Sequence, residues 1–154
     1  MKSINKSMNN KNDERYTPPI LVEPILKYIK PNSTIWCPFD TENSEFVLIL
    51  KEAGHNVIYS HIDLGQDFFD YEPIEKYDYI ISNPPFSRKL DILNRLYKLN
   101  KPFAMLMNIE RITIVNCRQI CRNILPKDLM FYHLENNNTG VNFIGSRMAY
   151  KVVE

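Results

Sequence analysis

Asn83-Pro84-Pro85-Phe86 follows directly on the apolar run of Tyr77, Tyr79, Ile80 and Ile81, so a buried strand empties into a proline-stiffened turn. Proline locks its own φ and has no N–H, which holds the Pro84 carbonyl in place as an acceptor. Asn83 offers a second acceptor through its carboxamide oxygen, and Phe86 offers a flat face for stacking. Together these groups make a rigid corner suited to a planar ring that carries an exocyclic amine. The plainer reading of the same residues is a proline-rich turn after a strand. The surrounding chain decides between them.

Upstream, Thr17-Pro18-Pro19 precedes the apolar positions Leu21, Val22, Ile25, Leu26 and Ile29, and Pro24 can occupy a first helical turn. Thr34 to Cys37 reads as a short buried strand ended by Pro38. Phe46, Val47, Leu50 and Ala53 share one helical face, with Gly54 in the position that follows a helix. Asn56 to Ser60 reads as the next strand, with a turn at Leu64-Gly65 and then Asp67-Phe68-Phe69. Downstream of the quoted turn, Leu90, Leu93, Leu96, Tyr97 and Leu99 predict a helix, Phe103 to Met107 a strand, and Ile114 to Leu125 another helix. Leu129 to Leu134 and Phe143 to Val153 predict an antiparallel hairpin at the end. Strand and helix thus alternate, which predicts an α/β fold with a mostly parallel sheet covered on both faces. Ligands of such sheets sit at the carboxyl ends of the strands, near the switch in strand order. Pro38-Phe39-Asp40, Ser60-His61-Ile62-Asp63 and Asn83 to Phe86 all fall at such ends.

The 154 residues, 44% hydrophobic and 24% charged, fit one ordinary globular domain. Residues 1–15 are polar and rich in Asn and Lys, and read as a flexible lead before a domain at 16–154. No run has the apolar length of a membrane span and the start is unlike a secretory signal, so a cytoplasmic protein is expected. Cys37, Cys117 and Cys121 suit neither a disulfide framework nor a zinc knuckle, and His55, His61 and His133 are scattered. No metal site is expected. The net charge of +1 gives no broad basic surface. Arg88, Lys89, Arg95, Lys98 and Lys101 nevertheless cluster after the key turn, either for phosphate contact or as a solvated helix face.

From Tyr16 onward the chain resembles the class I, Rossmann-like methyltransferases that modify N6 of adenine in nucleic acid, whose signature is Asn/Asp-Pro-Pro-Tyr/Phe/Trp. The resemblance implies a seven-stranded sheet and S-adenosylmethionine as methyl donor. Asn83, Pro84 and Phe86 would then receive the target base, flipped from its stack, with Pro85, Arg88 and Lys89 as further substrate contacts. For the donor it implies Thr17 and Pro38, with His61 and Asp63 near the ribose and Asp67 and Phe68 near the adenine. Asp40 either meets the donor's amino-acid end or caps the following helix. Two departures stand out: no glycine lies between Cys37 and Phe46, and His61 stands where the family has an acidic residue. The chain is also short, in the style of small phage-type members. DNA is the expected partner ahead of RNA, with a protein partner or a homodimer also open. The alternative function is a degenerate methyltransferase fold that binds a partner, such as a host nuclease or restriction system, without catalysis.

Overall fold

The computed structural model describes residues 17–85, 87–108, 130–132 and 141–146. Expectations that fall on residues 1–16, Phe86, the helix Ile114 to Leu125 and the chain after residue 146 lie outside these. The described residues form one mixed sheet packed between helical segments. Its strands are β1 (Thr34–Cys37), β2 (Asn56–Tyr59), β3 (Tyr79–Ser82), β4 (Phe103–Asn108), β5 (Met130–Tyr132) and β6 (Val141–Gly145), in the order β2-β1-β3-β4-β6-β5. β1 pairs in parallel with β2 and β3, and β3 with β4. β6 runs antiparallel between β4 and β5.

Six strands are therefore described, against the seven expected. Between β2 and β3 the chain carries a single 3-10 turn, Ile62–Leu64, and otherwise no helix or strand up to β3. The terminal pair is antiparallel, but the residues joining β5 to β6 are not among those described.

Alternation along the strands assigns their faces. Ile35, Cys37, Tyr79, Ile81, Ala104, Leu106 and Phe143 enter one core layer. It is covered by Val22, Ile25 and Ile29 and by Phe46, Val47 and Leu50 of helix α2 (Glu45–Glu52). Trp36, Ile80, Phe103, Met105 and Ile144 enter the opposite layer. There they meet Ile92, Leu93 and Leu96 of α3 (Lys89–Leu99), together with Phe68 and Tyr77. Each such large side chain, fully removed from water, contributes about 1.5–3 kcal/mol.

Pro24 reshapes the first helix. A single α-turn, α1 (Pro19–Val22), passes into a 3-10 segment at Glu23–Tyr28, because Pro24 lacks the N–H that an α-helix would use there. Ser44 caps α2 by accepting from the Val47 N–H at 3.4 Å, and Gly54 follows it at φ 95°. Gly145 serves another end: a Cβ there would run into the backbone carbonyl of Phe103 on β4, so the close approach of β6 requires glycine.

Candidate functional site

Strand order reverses at β1, which sends β2 to one side and β3 to the other, so the loops leaving β1 and β3 diverge above the sheet. Two fully buried serines tie these loops together. Ser60, after β2, accepts from the Trp36 indole Nε1 at 2.9 Å, and its backbone carbonyl accepts from the Asp40 N–H at 3.1 Å. Ser82, the last residue of β3, accepts from the Phe39 N–H at 3.2 Å and donates to the Asp40 carboxylate. Asp40 is 2% exposed. Burial pushes its carboxyl up to about 6, against the opposing hydrogen bonds from Ser82 and Ser44. Burial likewise holds the Cys37 thiol well above its ordinary range, with the Asp40 charge adding to it. No residue from Pro38 to Ser44 has a positive φ, so this loop closes without glycine.

Beside this sealed network opens a cleft of about 250 Å³. Its wall comprises Pro38 and Phe39 after β1, His61 and Ile62 after β2, Asp67, Phe68 and Phe69, and then Pro85, Ser87 and Arg88 after β3. The lining is mainly aromatic and apolar, with Asp67 and Arg88 as its charged groups. Phe39 and Phe68 pack with ring centroids 4.9 Å apart, and Phe68 and Phe69 at 5.6 Å. The Asp67 carboxylate accepts from the Phe69 N–H at 3.0 Å and shapes the turn that presents these rings. Arg95 of α3 holds the same turn from beneath, donating from Nε to the Phe68 carbonyl and from a terminal nitrogen to the Tyr71 carbonyl at 3.2 Å.

His61 is buried. Its Nδ1 accepts from the Asp63 N–H at 3.0 Å, so the neutral ring carries its proton on Nε2. The Asp63 side chain is 55% exposed and lies outside the cleft wall. Asn83, at the end of β3, donates from Nδ2 to the buried Thr17 Oγ1 at 2.8 Å. Its carboxamide oxygen is the atom left to accept. Pro84 is buried and Pro85 turns into the wall. Arg88 caps α3 in the left-handed region at φ 61°. Its guanidinium lies 3.9 Å over the Phe69 ring, and its Nε meets Asp91 at 3.3 Å.

Of the residues singled out from sequence, Pro38, His61, Asp67, Phe68, Pro85 and Arg88 are brought together in the cleft wall. Thr17 and Asn83 come together as a separate pair. Asp40 is sealed beneath the β1 loop rather than facing the cleft, while Pro84, Asp63 and Lys89 lie outside the wall. The wall also contains Phe39, Ile62, Phe69 and Ser87, which the sequence reading did not single out. Phe39 and Ile62 belong to strand-end motifs already noted, and Phe69 adjoins Phe68, so their positions were the available signal.

No family model matches the sequence, and no curated protein matches it. Among solved structures, the chain is similar to the crystal structure of TrmN from Thermus thermophilus, with a TM-score of 0.46 and 16% sequence identity. The match covers 84% of this chain and 48% of that one, so the chain spans about half the length of that protein. Among the described residues, no helix is long and apolar enough to cross a membrane.

Proposed function

We propose that the chain is an S-adenosylmethionine-dependent methyltransferase of the class I fold, acting on N6 of adenine in nucleic acid, with DNA as the first substrate to test. The observation that carries this reading is the position of the cleft. It lies over the carboxyl ends of β1, β2 and β3, where strand order switches, and the Asn83-Pro84-Pro85 turn leads into its wall.

The residues fit the adenosyl part of the donor. Phe39, Phe68 and Ile62 would provide its apolar and aromatic bed, and Asp67 and His61 its polar contacts. Bound there, the donor supplies a methyl group already activated on a sulfonium. The chain's own contribution is positional. Thr17 holds the Asn83 amide nitrogen, which leaves the carboxamide oxygen to accept from the target amine. The Pro84 carbonyl is the second acceptor, stiffened by two prolines in succession. A pair of fixed acceptors favours a pyramidal nitrogen and stabilises positive charge as it builds on that atom, an electrostatic effect that needs no reorganisation during reaction.

Burial of Asp40 favours a second reading, a methyltransferase fold that binds a partner without catalysis, because a sealed carboxyl offers little to a cofactor's ammonium group. Adding S-adenosylmethionine during thermal unfolding separates the two. At one hundred times its dissociation constant the ligand should stabilise the fold by about 2.7 kcal/mol. Transfer of tritiated methyl from the donor to unmethylated DNA should then be abolished in Asn83→Ala, with donor affinity kept. Equal transfer by this variant would remove the proposed role of Asn83.

A further inference from the structure

A second cavity, of about 270 Å³, lies beside the cleft and is lined by Phe69, Arg88, Asp91, Asn94, Arg95 and Lys98. Phe69 and Arg88 belong to both walls, so their stack is the partition between the two spaces. We propose that this second cavity is the path of a single nucleic-acid strand leading away from the cleft, with Phe69 as a base-stacking platform and Arg88, Arg95 and Lys98 as phosphate contacts. The proposal rests on the reading of the cleft as a target-base site and extends it to the flanking strand.

Charge, shape and energetics each support this path. α3 buries Ile92, Leu93 and Leu96 in the core and turns Asp91, Asn94, Arg95 and Lys98 toward the cavity. Three cations against one carboxylate leave the lining net positive. Arg95 gives hydrogen bonds to the neutral carbonyls of Phe68 and Tyr71 and lies 5.3 Å over the Phe68 ring, contacts that carry no formal negative charge. Among the described residues, neither Arg95 nor Lys98 forms an ion pair. From Arg88 to Lys98 the helix rises about 15 Å at 1.5 Å per residue, enough for more than one phosphate to follow it.

The partition is also weakly held. Arg88 covers Phe69 at 3.9 Å, where a planar base would stack, and is otherwise kept there by one ion pair with Asp91 whose partners are 58% and 61% exposed. Such a pair contributes little. A base can therefore take the face of Phe69 while the guanidinium turns to the adjoining phosphate. Aromatic platforms interleaved with cations are how proteins follow single strands without reading their sequence.

The test is fluorescence anisotropy with short labelled single strands, DNA and RNA of the same sequence, titrated over a range of salt in the absence of cofactor. The parent should bind, with log affinity falling linearly in log salt. Lys98→Ala should flatten that slope by roughly 0.7, the loss of one phosphate contact on a single strand. Lys51→Ala removes the same charge from α2, away from the path, and should leave the slope unchanged. Phe69→Ala should weaken binding at every salt concentration without altering the slope. The two sugar types show which strand the path prefers. No binding by the parent, binding confined to duplex, or a Lys98→Ala slope equal to that of Lys51→Ala would each overturn the path. Methyl transfer is measured separately. A parent that transfers nothing but keeps the Lys98-dependent slope loses the reaction and retains the path; one that transfers while Lys98→Ala binds like the parent does the reverse.

Discussion

The loop after β1 and the loop after β3 leave neighbouring strands at the same end of the sheet, yet they are made rigid by different physics. The first, Pro38 to Ser44, is held by buried hydrogen bonds. Ser82 joins the Phe39 N–H to the Asp40 carboxyl, and Ser60 joins the Asp40 N–H to β2. The second is stiffened covalently at Pro84 and Pro85, pinned at one end by the bond from Asn83 to Thr17, and enters α3 through Arg88 in the left-handed region. Buried networks are costly to break because every member is desolvated. Covalent stiffness loses little when one side chain changes. The first loop should therefore respond to mutation through stability and the second through function.

Ser82→Ala should break the contrast most sharply. It leaves the half-buried Phe39 N–H without its acceptor and takes from the buried Asp40 carboxyl one of its two serine donors, Ser44 remaining, at a cost of about 4 kcal/mol. Urea denaturation measures this directly, and a loss near zero would mean that the network does not hold the loop.

Asp40→Asn should act next, through pH. The folded carboxyl is raised from its ordinary 3.8 to about 6, so it contributes stability below 3.8 that is lost as pH rises to about 6. The parent should lose about 3 kcal/mol over that interval from this group, and the variant should not. His55, lowered by burial, works in the opposite sense, adding stability above its ordinary 6.5 that is lost as pH falls. Since both proteins keep His55, the difference between their unfolding curves isolates Asp40.

Thr17→Val tests the second loop. It should cost about 1 kcal/mol of stability, the net value of one hydrogen bond, yet reduce methyl transfer strongly by freeing the Asn83 amide. Parallel unfolding and tritium-transfer assays would show whether the two effects separate. The smallest effect belongs to Arg88→Gly. Relief of the positive φ offsets the lost stack and ion pair, for a net change within about 0.5 kcal/mol in thermal unfolding.

Much of this arrangement could be read from residue patterns. Thr34–Cys37 and the apolar face of Phe46, Val47 and Leu50 appear where alternation and helical periodicity put them, with Ser44 and Gly54 at the ends of α2. The glycine-free β1 loop was a departure in the sequence, and in the structure it is accounted for: Ser82 and Ser60 fasten a backbone that never enters the left-handed region. Less legible was the strand count: the expectation of seven came from family likeness, and six strands are found among the described residues. The pairing of Thr17 with Asn83 and the stacking of Arg88 on Phe69 were also beyond reach. They join residues distant in the chain, or depend on a backbone angle that arginine does not announce.

Local periodicity and turn chemistry, which act over a few residues, determined the alternation of strands and helices and the stiff turn that ends β3. Only the tertiary structure decided which polar groups are sealed and which face a cavity. Asp40 and Asp67 are the same residue type after different strand ends, and one became a buried, proton-retaining anchor while the other became a wall of the cleft. Burial is a property of what packs above a residue, and that packing comes from loops and helices brought together by the order of the strands.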